Sequence, residues 1–162
     1  MKILVLSDSH GRTSLMERVV RQYLDEVGAV CFLGDVLRDI IKLQDIFQGL
    51  PIYAVPGNCD FTLGSQIESV QCLNLGGVEI LLTHGHLHDV KRNYNTIIDY
   101  ATKMGVSACF FGHSHVAASF VKNGITFLNP GSITEPRGDL GKSYALVEIV
   151  NGQVKPTIIE VD

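Results

Sequence analysis

The sequence predicts an α/β fold in which a mostly parallel sheet packs on a second, mixed sheet, with helices outside. Three observations lead there. The first part of the chain alternates strand-like and helix-like runs, the rest is rich in short strands joined by Gly-containing turns, and many of the strand-like runs are apolar throughout. A β-α-β-α-β order implies parallel pairing through right-handed crossovers. Strands that are continuously apolar must be covered on both faces.

Each element has its own signal. Lys2 to Ser7 is an apolar run and reads as the first strand. From Thr13 to Val27 a helix is expected: Leu15, Val19, Val20, Tyr23, Leu24 and Val27 recur at helical spacing, and Thr13 or Ser14 could cap it, with Glu17 placed for a capping box. Ala29 to Leu33 reads as a second buried strand, Ile40 to Gln48 as a short helix and Pro51 to Val55 as a third strand. Ile67 to Leu75 and Val78 to Thr83 then form strand-like runs joined through Gly76-Gly77. Asn93 to Met104 reads as one more helix. Short strands follow at Ala108 to Phe111, Ala117 to Lys122, Ile125 to Leu128, Ser143 to Val150 and Lys155 to Val161, with Asn123-Gly124 and Asn151-Gly152 as hairpin turns. No linker, repeat or low-complexity segment interrupts the pattern, so residues 1–162 are expected to form a single domain.

Composition narrows the function classes. Of the 162 residues 46% are hydrophobic and 19% charged, enough for a sizeable core without disulfide staples. A net charge of -4 and a pI near 5.8 argue against a general nucleic-acid coat and a membrane-surface binder. Cys31, Cys59, Cys72 and Cys109 show no CxxC spacing, and no structural disulfide is expected. The N-terminal apolar run is shorter than a signal h-region of about 7 to 15 residues, and no segment reaches the roughly 20 apolar residues of a membrane span. A cytoplasmic protein is the expectation, with an apolar composition that leaves room for a homodimer patch.

The chemistry sits where strands end. Asp8-Ser9-His10-Gly11 follows the first strand, Gly34-Asp35 the second and Gly57-Asn58-Cys59-Asp60 the third. His84-Gly85-His86 with His88, Gly112-His113-Ser114-His115 and Asn129-Pro130-Gly131-Ser132 follow later strands, and all six histidines fall in these clusters. Strand ends in open α/β sheets form the crevice where ligands bind. In extended chain, residues i and i+2 point the same way, so Asp8 with His10 and His113 with His115 are expected to project together. Carboxylate and imidazole suit borderline divalent metals. Taken singly, Asp8 or Asp35 reads as a turn former or helix cap, and one HxH as chance. The ordered set reads as a metal site. Glycines 11, 34, 57, 85 and 112 would permit tight turns and close backbone approach beside it.

The five blocks spanning residues 8 to 115, in this order, resemble the calcineurin-like metallophosphoesterase superfamily. The Gly57-Asn58-Cys59-Asp60 form and the Asn129-Pro130-Gly131-Ser132 segment are similar to its small single-domain phosphodiesterase subfamily. That resemblance implies a four-layer α/β/β/α sandwich of two mixed sheets flanked by helices. It implies two divalent ions per chain, the first on Asp8, His10 and His115, the second on Asn58, His84 and His113, with Asp35 bridging. It further implies in-line attack on phosphorus by a hydroxide shared between the ions, with Asn58 touching the phosphate. Manganese is the metal the resemblance favours, while mixed N and O ligands also suit iron, nickel or zinc. Many members carry a histidine after the Gly-Asn pair to protonate the leaving group, and this chain has Cys59. A thiol with an ordinary pKa near 8.5 can donate a proton, or Cys59 can pack as a small residue. His86 is the candidate for a supporting or phosphate-contacting catalytic role.

The function expected is therefore phosphodiester hydrolysis on a small-molecule or nucleotide substrate. The diester preference comes from the resemblance. Arg12, Arg38, Lys91, Arg92 and Arg137 are the basic residues nearest the motifs in sequence, few for a dianionic monoester. Substrate choice would rest on loops near residues 60–68, 86–93 and 134–141. A different class, an inactive scaffold of the same fold such as the retromer subunit, would be expected to show losses at His10, Asn58 or His115, and all three are present. A plain nucleotide-binding domain lacks support, since Ser7 to Thr13 matches neither GxGxxG nor GxxxxGK[ST].

Overall fold

The computed structural model describes residues 1–61 and 64–161 and places two five-stranded sheets face to face. Thirteen principal elements follow in order: β1 (Lys2–Leu6), α1 (Thr13–Tyr23), β2 (Ala29–Phe32), α2 (Leu37–Ile46), β3 (Ile52–Ala54), β4 (Val70–Leu75), β5 (Val78–Thr83), α3 (Asn95–Met104), β6 (Ala108–Phe110), β7 (Ala118–Lys122), β8 (Ile125–Asn129), β9 (Ser143–Val150) and β10 (Gln153–Glu160). The first sheet has the order β10-β9-β1-β2-β3 and the second β4-β5-β6-β8-β7.

The expected β-α-β-α-β unit is there, with β1, β2 and β3 parallel. The first sheet is nonetheless mixed rather than mostly parallel, because the last hairpin returns to it: β9 pairs antiparallel with β1, and β10 with β9. Local patterning predicts a hairpin but not which sheet it joins. β10 is the edge strand, which is where Pro156 can sit without breaking a central ladder. In the second sheet β5, β6 and β8 run parallel, flanked by β4 and β7 through the two expected hairpins.

Alternation along the strands builds the layers. Ile3, Val5, Cys31 and Leu33 of the first sheet meet Ile80, Leu82, Ala108, Phe110 and Leu128 of the second in the central core. Leu4, Leu6, Val30 and Phe32 point the other way, onto Met16, Val19 and Val20 of α1 and Ile40 and Leu43 of α2. Leu81, Cys109 and Phe127 leave the second sheet's outer face and meet Ile97 and Ala101 of α3. The arrangement is the α/β/β/α sandwich, and each side chain's layer follows from the two-residue period of a strand.

Several local expectations differ. α1 is preceded by Arg12 with no side-chain cap, and the Thr13 hydroxyl donates instead to Asp39 at 2.7 Å. That helix stops at Tyr23, where the chain turns through a Val27 N–H to Tyr23 carbonyl bond at 3.0 Å. α2 starts at Leu37, ahead of the expected Ile40. Of the 60–68 loop, residues 62 and 63 lie outside the described residues, and β4 begins at Val70 rather than Ile67.

Candidate metal centre

Parallel pairing puts the carboxyl ends of β1, β2 and β3 at one edge of the first sheet, and those of β5 and β6 at one edge of the second. The ladders run on past the strands. The Asp8 N–H donates to the Gly34 carbonyl at 3.0 Å, His10 N–H to the Asp35 carbonyl at 3.1 Å, and Gly112 N–H to the His84 carbonyl at 3.0 Å. Continuation of the backbone register therefore draws the polar clusters together.

Past the strand ends the backbone is not extended. Asp8, His10, Asp35, His113 and His115 all have positive φ, between 45° and 66°. The extended i, i+2 geometry does not hold, since each member is in the left-handed region, where a side chain with a Cβ is strained; Asp8 and His10 share a donor set, while His113 lies against His84 and His115 against His10. The other non-glycine residues with positive φ are Asp89 and the hairpin residues Asn123 and Asn151, among those described. Strain concentrated on the candidate ligands marks a region whose conformation the surrounding fold must enforce.

The donor atoms converge. One cluster comprises Asp8, His10 and His115, and another Asp8, Asp35 and His84, with the donor atoms of each set within 4.8 Å of one another. His84 Nε2 lies 3.2 Å from Asn58 Oδ1, 3.2 Å from His113 Nδ1 and 3.5 Å from Asp35 Oδ2. His10 and His115 face each other with their Nε2 atoms 3.4 Å apart. All seven expected ligands thus meet in one cleft.

Their hydrogen bonding leaves lone pairs facing inward. His84 Nδ1 is bound to the Leu33 carbonyl, and His115 Nδ1 to the Glu135 carbonyl at 2.7 Å. A carbonyl only accepts, so each Nδ1 carries the proton and, in the neutral ring, each Nε2 is a bare lone pair. Asp8 Oδ2 accepts from Ser7 Oγ at 2.6 Å and from the His113 N–H at 3.2 Å, while Oδ1, fully buried, has no hydrogen-bond partner. A buried carboxylate oxygen without a partner is costly. Oxygen and imidazole acceptors gathered with nothing to accept from fit a divalent cation.

Electrostatics describes the same cluster. Burial raises the Asp35 pKa, but the hydrogen bond and charge of His84 and the Cys59 N–H outweigh it, holding the carboxyl well below its usual range. At His84 burial favours the neutral ring, yet Asp35 and Asp8 together push the pKa up. His115 follows the same pattern, burial being outweighed by Asp8. His113 goes the other way, down to about 4, through burial and then the neighbouring His84 charge. In both rings the neighbouring carboxylates favour the protonated form against burial.

Three buried side chains hold the ligand loops. Asp39 accepts from Ser9 Oγ at 2.6 Å, Gly11 N–H at 3.0 Å and Thr13 Oγ1 at 2.7 Å, fixing the loop of Asp8 and His10. Asp60 accepts from the N–H groups of Gly57 at 2.8 Å, Leu37 at 2.8 Å and Asp35 at 3.2 Å, which joins two ligand loops and starts α2 early. Asn129 donates to the Gly112 carbonyl and Ser114 Oγ, both at 2.9 Å, and so supports the loop of His113 and His115. Sequence reasoning gave Asp39 no role. Its one signal is a carboxylate beside Ile40 and Leu43 on the buried face of an amphipathic helix.

The remaining expectations divide. His86 stands beside the centre, its ring centroid 5.4 Å from His84 and 6.0 Å from His113, with a buried Nδ1 that has no hydrogen-bond partner. Burial lowers its pKa. His88 is packed on Tyr100 at 4.9 Å and is not among the converging donors. Cys59 is exposed at the rim, its N–H donating to Asp35 Oδ1 at 2.9 Å, and burial of the thiol followed by the Asp35 charge pushes its pKa up to about 11. Of the five basic residues, Lys91 acts electrostatically on His113 and Arg137 on His115. A cleft of about 430 Å³ opens beside Asn58 and His86, with Phe61, Ser65 and Ser69 also lining it. Another cleft of about 410 Å³, between α2 and β3, holds none of the donors. No helix of the described residues is long and apolar enough to cross a membrane.

Residues 1–152 match the sequence profile of the calcineurin-like phosphoesterase superfamily domain. The chain is 36% identical over 152 residues to the probable metallophosphoesterase YsnB of Bacillus subtilis, covering 93% of this chain and 86% of that one. It is 27% identical over 175 residues to the phosphodiesterase YfcE of Escherichia coli K12, covering 91% and 88%. A crystal structure of a conserved Streptococcus pneumoniae TIGR4 protein, described as a predicted phosphoesterase, superposes with a TM-score of 0.83 at 34% identity, over 98% of this chain and 88% of that one. Zinc-bound Vps29 of Entamoeba histolytica shares the fold, with a TM-score of 0.72 at 22% identity over 98% of each chain. Divalent metals are what such a family implies, and the chain belongs to the calcineurin-like phosphoesterase superfamily.

Proposed function

We propose that this chain, as one domain over residues 1–162, is a metal-dependent phosphodiesterase that holds two divalent ions. Asp8, His10 and His115 would hold the first, Asn58, His84 and His113 the second, and Asp35 would bridge them. The observation that carries the reading is the inward convergence of acceptors: the partnerless Asp8 Oδ1 faces ring nitrogens whose opposite Nδ1 atoms are committed to backbone carbonyls. When bound, the ions would polarise the phosphoryl oxygens and make water a nucleophile near neutral pH.

The chain's own groups account for the rest. Leu33 and Glu135 carbonyls fix the tautomers of His84 and His115, so that both rings present Nε2. Asn58 stands at the mouth of the 430 Å³ cleft, where its amide can donate to a phosphoryl oxygen. Neutral His86 beside it is suited to contact phosphate or pass a proton. Cys59 is a poor acid near neutral pH, since its pKa lies at about 11. Substrates with good leaving groups are therefore expected to react best. Among the described residues, Lys91 acts on His113 and Arg137 on His115, a modest positive charge that suits a diester monoanion over a monoester dianion. The likeness to YfcE, a phosphodiesterase, supports the same choice. Manganese is the metal we favour, a small-molecule or nucleotide diester the substrate class, and the cytoplasm the compartment.

The test is hydrolysis of a chromogenic phosphodiester beside its monoester by chelator-stripped protein, with manganese, magnesium, zinc or nothing added back. Turnover of the diester restored by manganese is expected. Folded protein with no turnover under any metal would favour the scaffold alternative, whose present support is the fold likeness to Vps29.

A further inference from the structure

Cys59 belongs to a second donor set that the seven-ligand scheme does not use. Its Sγ, a ring nitrogen of His10 and a carboxylate oxygen of Asp35 all lie within 4.8 Å of one another. The thiol is held there from two sides. The Cys59 N–H is anchored on Asp35 Oδ1 at 2.9 Å, and the Asn58 amide nitrogen lies 3.6 Å from Sγ.

An independent observation points to a cation in the same cavity. Asp8, fully buried, directs the partnerless Oδ1 toward His115 Nε2 at 3.2 Å, and that nitrogen is 3.4 Å from His10 Nε2. His10 is thus common to the Asp8-His10-His115 group and the His10-Asp35-Cys59 group. A cation drawn in by the first group comes within reach of the thiol.

We propose that Cys59 is a conditional metal ligand, which closes the centre around a thiophilic cation such as zinc, cobalt or cadmium and stays disengaged when manganese is bound. The inference rests on the metal-centre reading above. Thiolate is a soft donor that selects zinc-like cations, whereas manganese prefers oxygen and nitrogen. Balance is simple: the S–H bond breaks, a sulfur–metal bond forms, and one proton leaves to solvent for each thiolate bound. The exposed position of Cys59 at the rim gives the cation access. Engagement of the thiol would tie down the rim beside Asn58, so zinc is expected to bind more tightly than manganese and to support less turnover.

The test uses the full chain, stripped of metal and titrated with cobalt while its near-ultraviolet absorption is followed. Cys59→Ser is compared with wild type and with Cys72→Ser, the other exposed thiol. Expected are a thiolate-to-cobalt charge-transfer band in wild type and Cys72→Ser but not in Cys59→Ser, and release of one proton with the band. Zinc affinity should fall about tenfold or more in Cys59→Ser, the size of effect common for a lost supporting group at a metal site, with manganese affinity unchanged. Cobalt binding to wild type without the band, or a band that persists in Cys59→Ser, overturns this inference alone. Failure of folded wild type to bind cobalt at all contradicts the metal centre and this inference with it.

Discussion

His115 Nε2 and Asp8 Oδ1 stand 3.2 Å apart, with Oδ1 buried and lacking any hydrogen-bond partner. The His115 Nδ1 proton is committed to the Glu135 carbonyl, so in the neutral ring two lone pairs confront each other. Either a proton or a metal must lie on the inner side of that ring. In the metal-free protein only a proton can lie there, which gives that state a characteristic pH dependence.

Metal-free protein should be most stable near pH 6.5. His84 and His115 have folded pKa values raised above 6.5, so their contribution is full below 6.5 and is lost as pH rises through the raised values. His86, His88 and His113 have folded values below 6.5, so the unfolded chain takes up their protons first and stability falls as pH drops beneath 6.5. Asp35, depressed from 3.8, adds a further loss as pH falls through 3.8 and below. Thermal unfolding against pH checks this. Saturating manganese should remove the alkaline loss, because the ion replaces the protons on His84 and His115.

Asp39 is a supporting group with a large expected stability effect. Asp39→Ala would leave the Ser9 and Thr13 hydroxyls and the Gly11 N–H without their acceptor. The loss should be about 3 kcal/mol, or roughly 6 to 12 °C in melting temperature for a chain of this size. Activity should fall as well, since Asp8 and His10 share the loop, and calorimetry alongside an assay would register both effects.

Gly57→Ala should cut activity by at least about a hundredfold, the scale expected when a reacting group is displaced by 1 Å. A Cβ at Gly57 would collide with the Asp35 carboxylate and come within 2.6 Å of the Asp35 N–H nitrogen. Gly34 is equally constrained, with a φ of +100° and Gly57 nitrogen 2.6 Å from where its Cβ would stand. Metal content measured beside turnover would show whether the bridging carboxylate has moved.

Much of this was readable before any coordinates, for reasons that particular residues illustrate. Strand periodicity places Ile3 and Val5 in the central core and Leu4 and Leu6 under the helices, and the Asn-Gly turns declare their hairpins. The seven ligand candidates fall in five clusters at the ends of strand-like runs, so their grouping follows from parallel register. What was hidden depends on long-range pairing. The attachment of β9 to β1 carries no local signal. The Asp39 and Asp60 carboxylates act on loops 23 to 30 residues away or across a turn, and only the folded chain brings those donors to them. Left-handed backbone at Asp8, His10, His113 and His115 was equally invisible, since Asp and His rarely adopt it without tertiary support.

Metal content per chain in wild type and Asp35→Ala tests the central claim most directly. Protein reconstituted with manganese and freed of unbound ion should carry two ions per chain in the wild type. Asp35→Ala should carry fewer and hydrolyse no diester, because the carboxylate that would join both sites is gone. Equal metal content and equal turnover in the two proteins, with both folded, would contradict a shared two-metal centre.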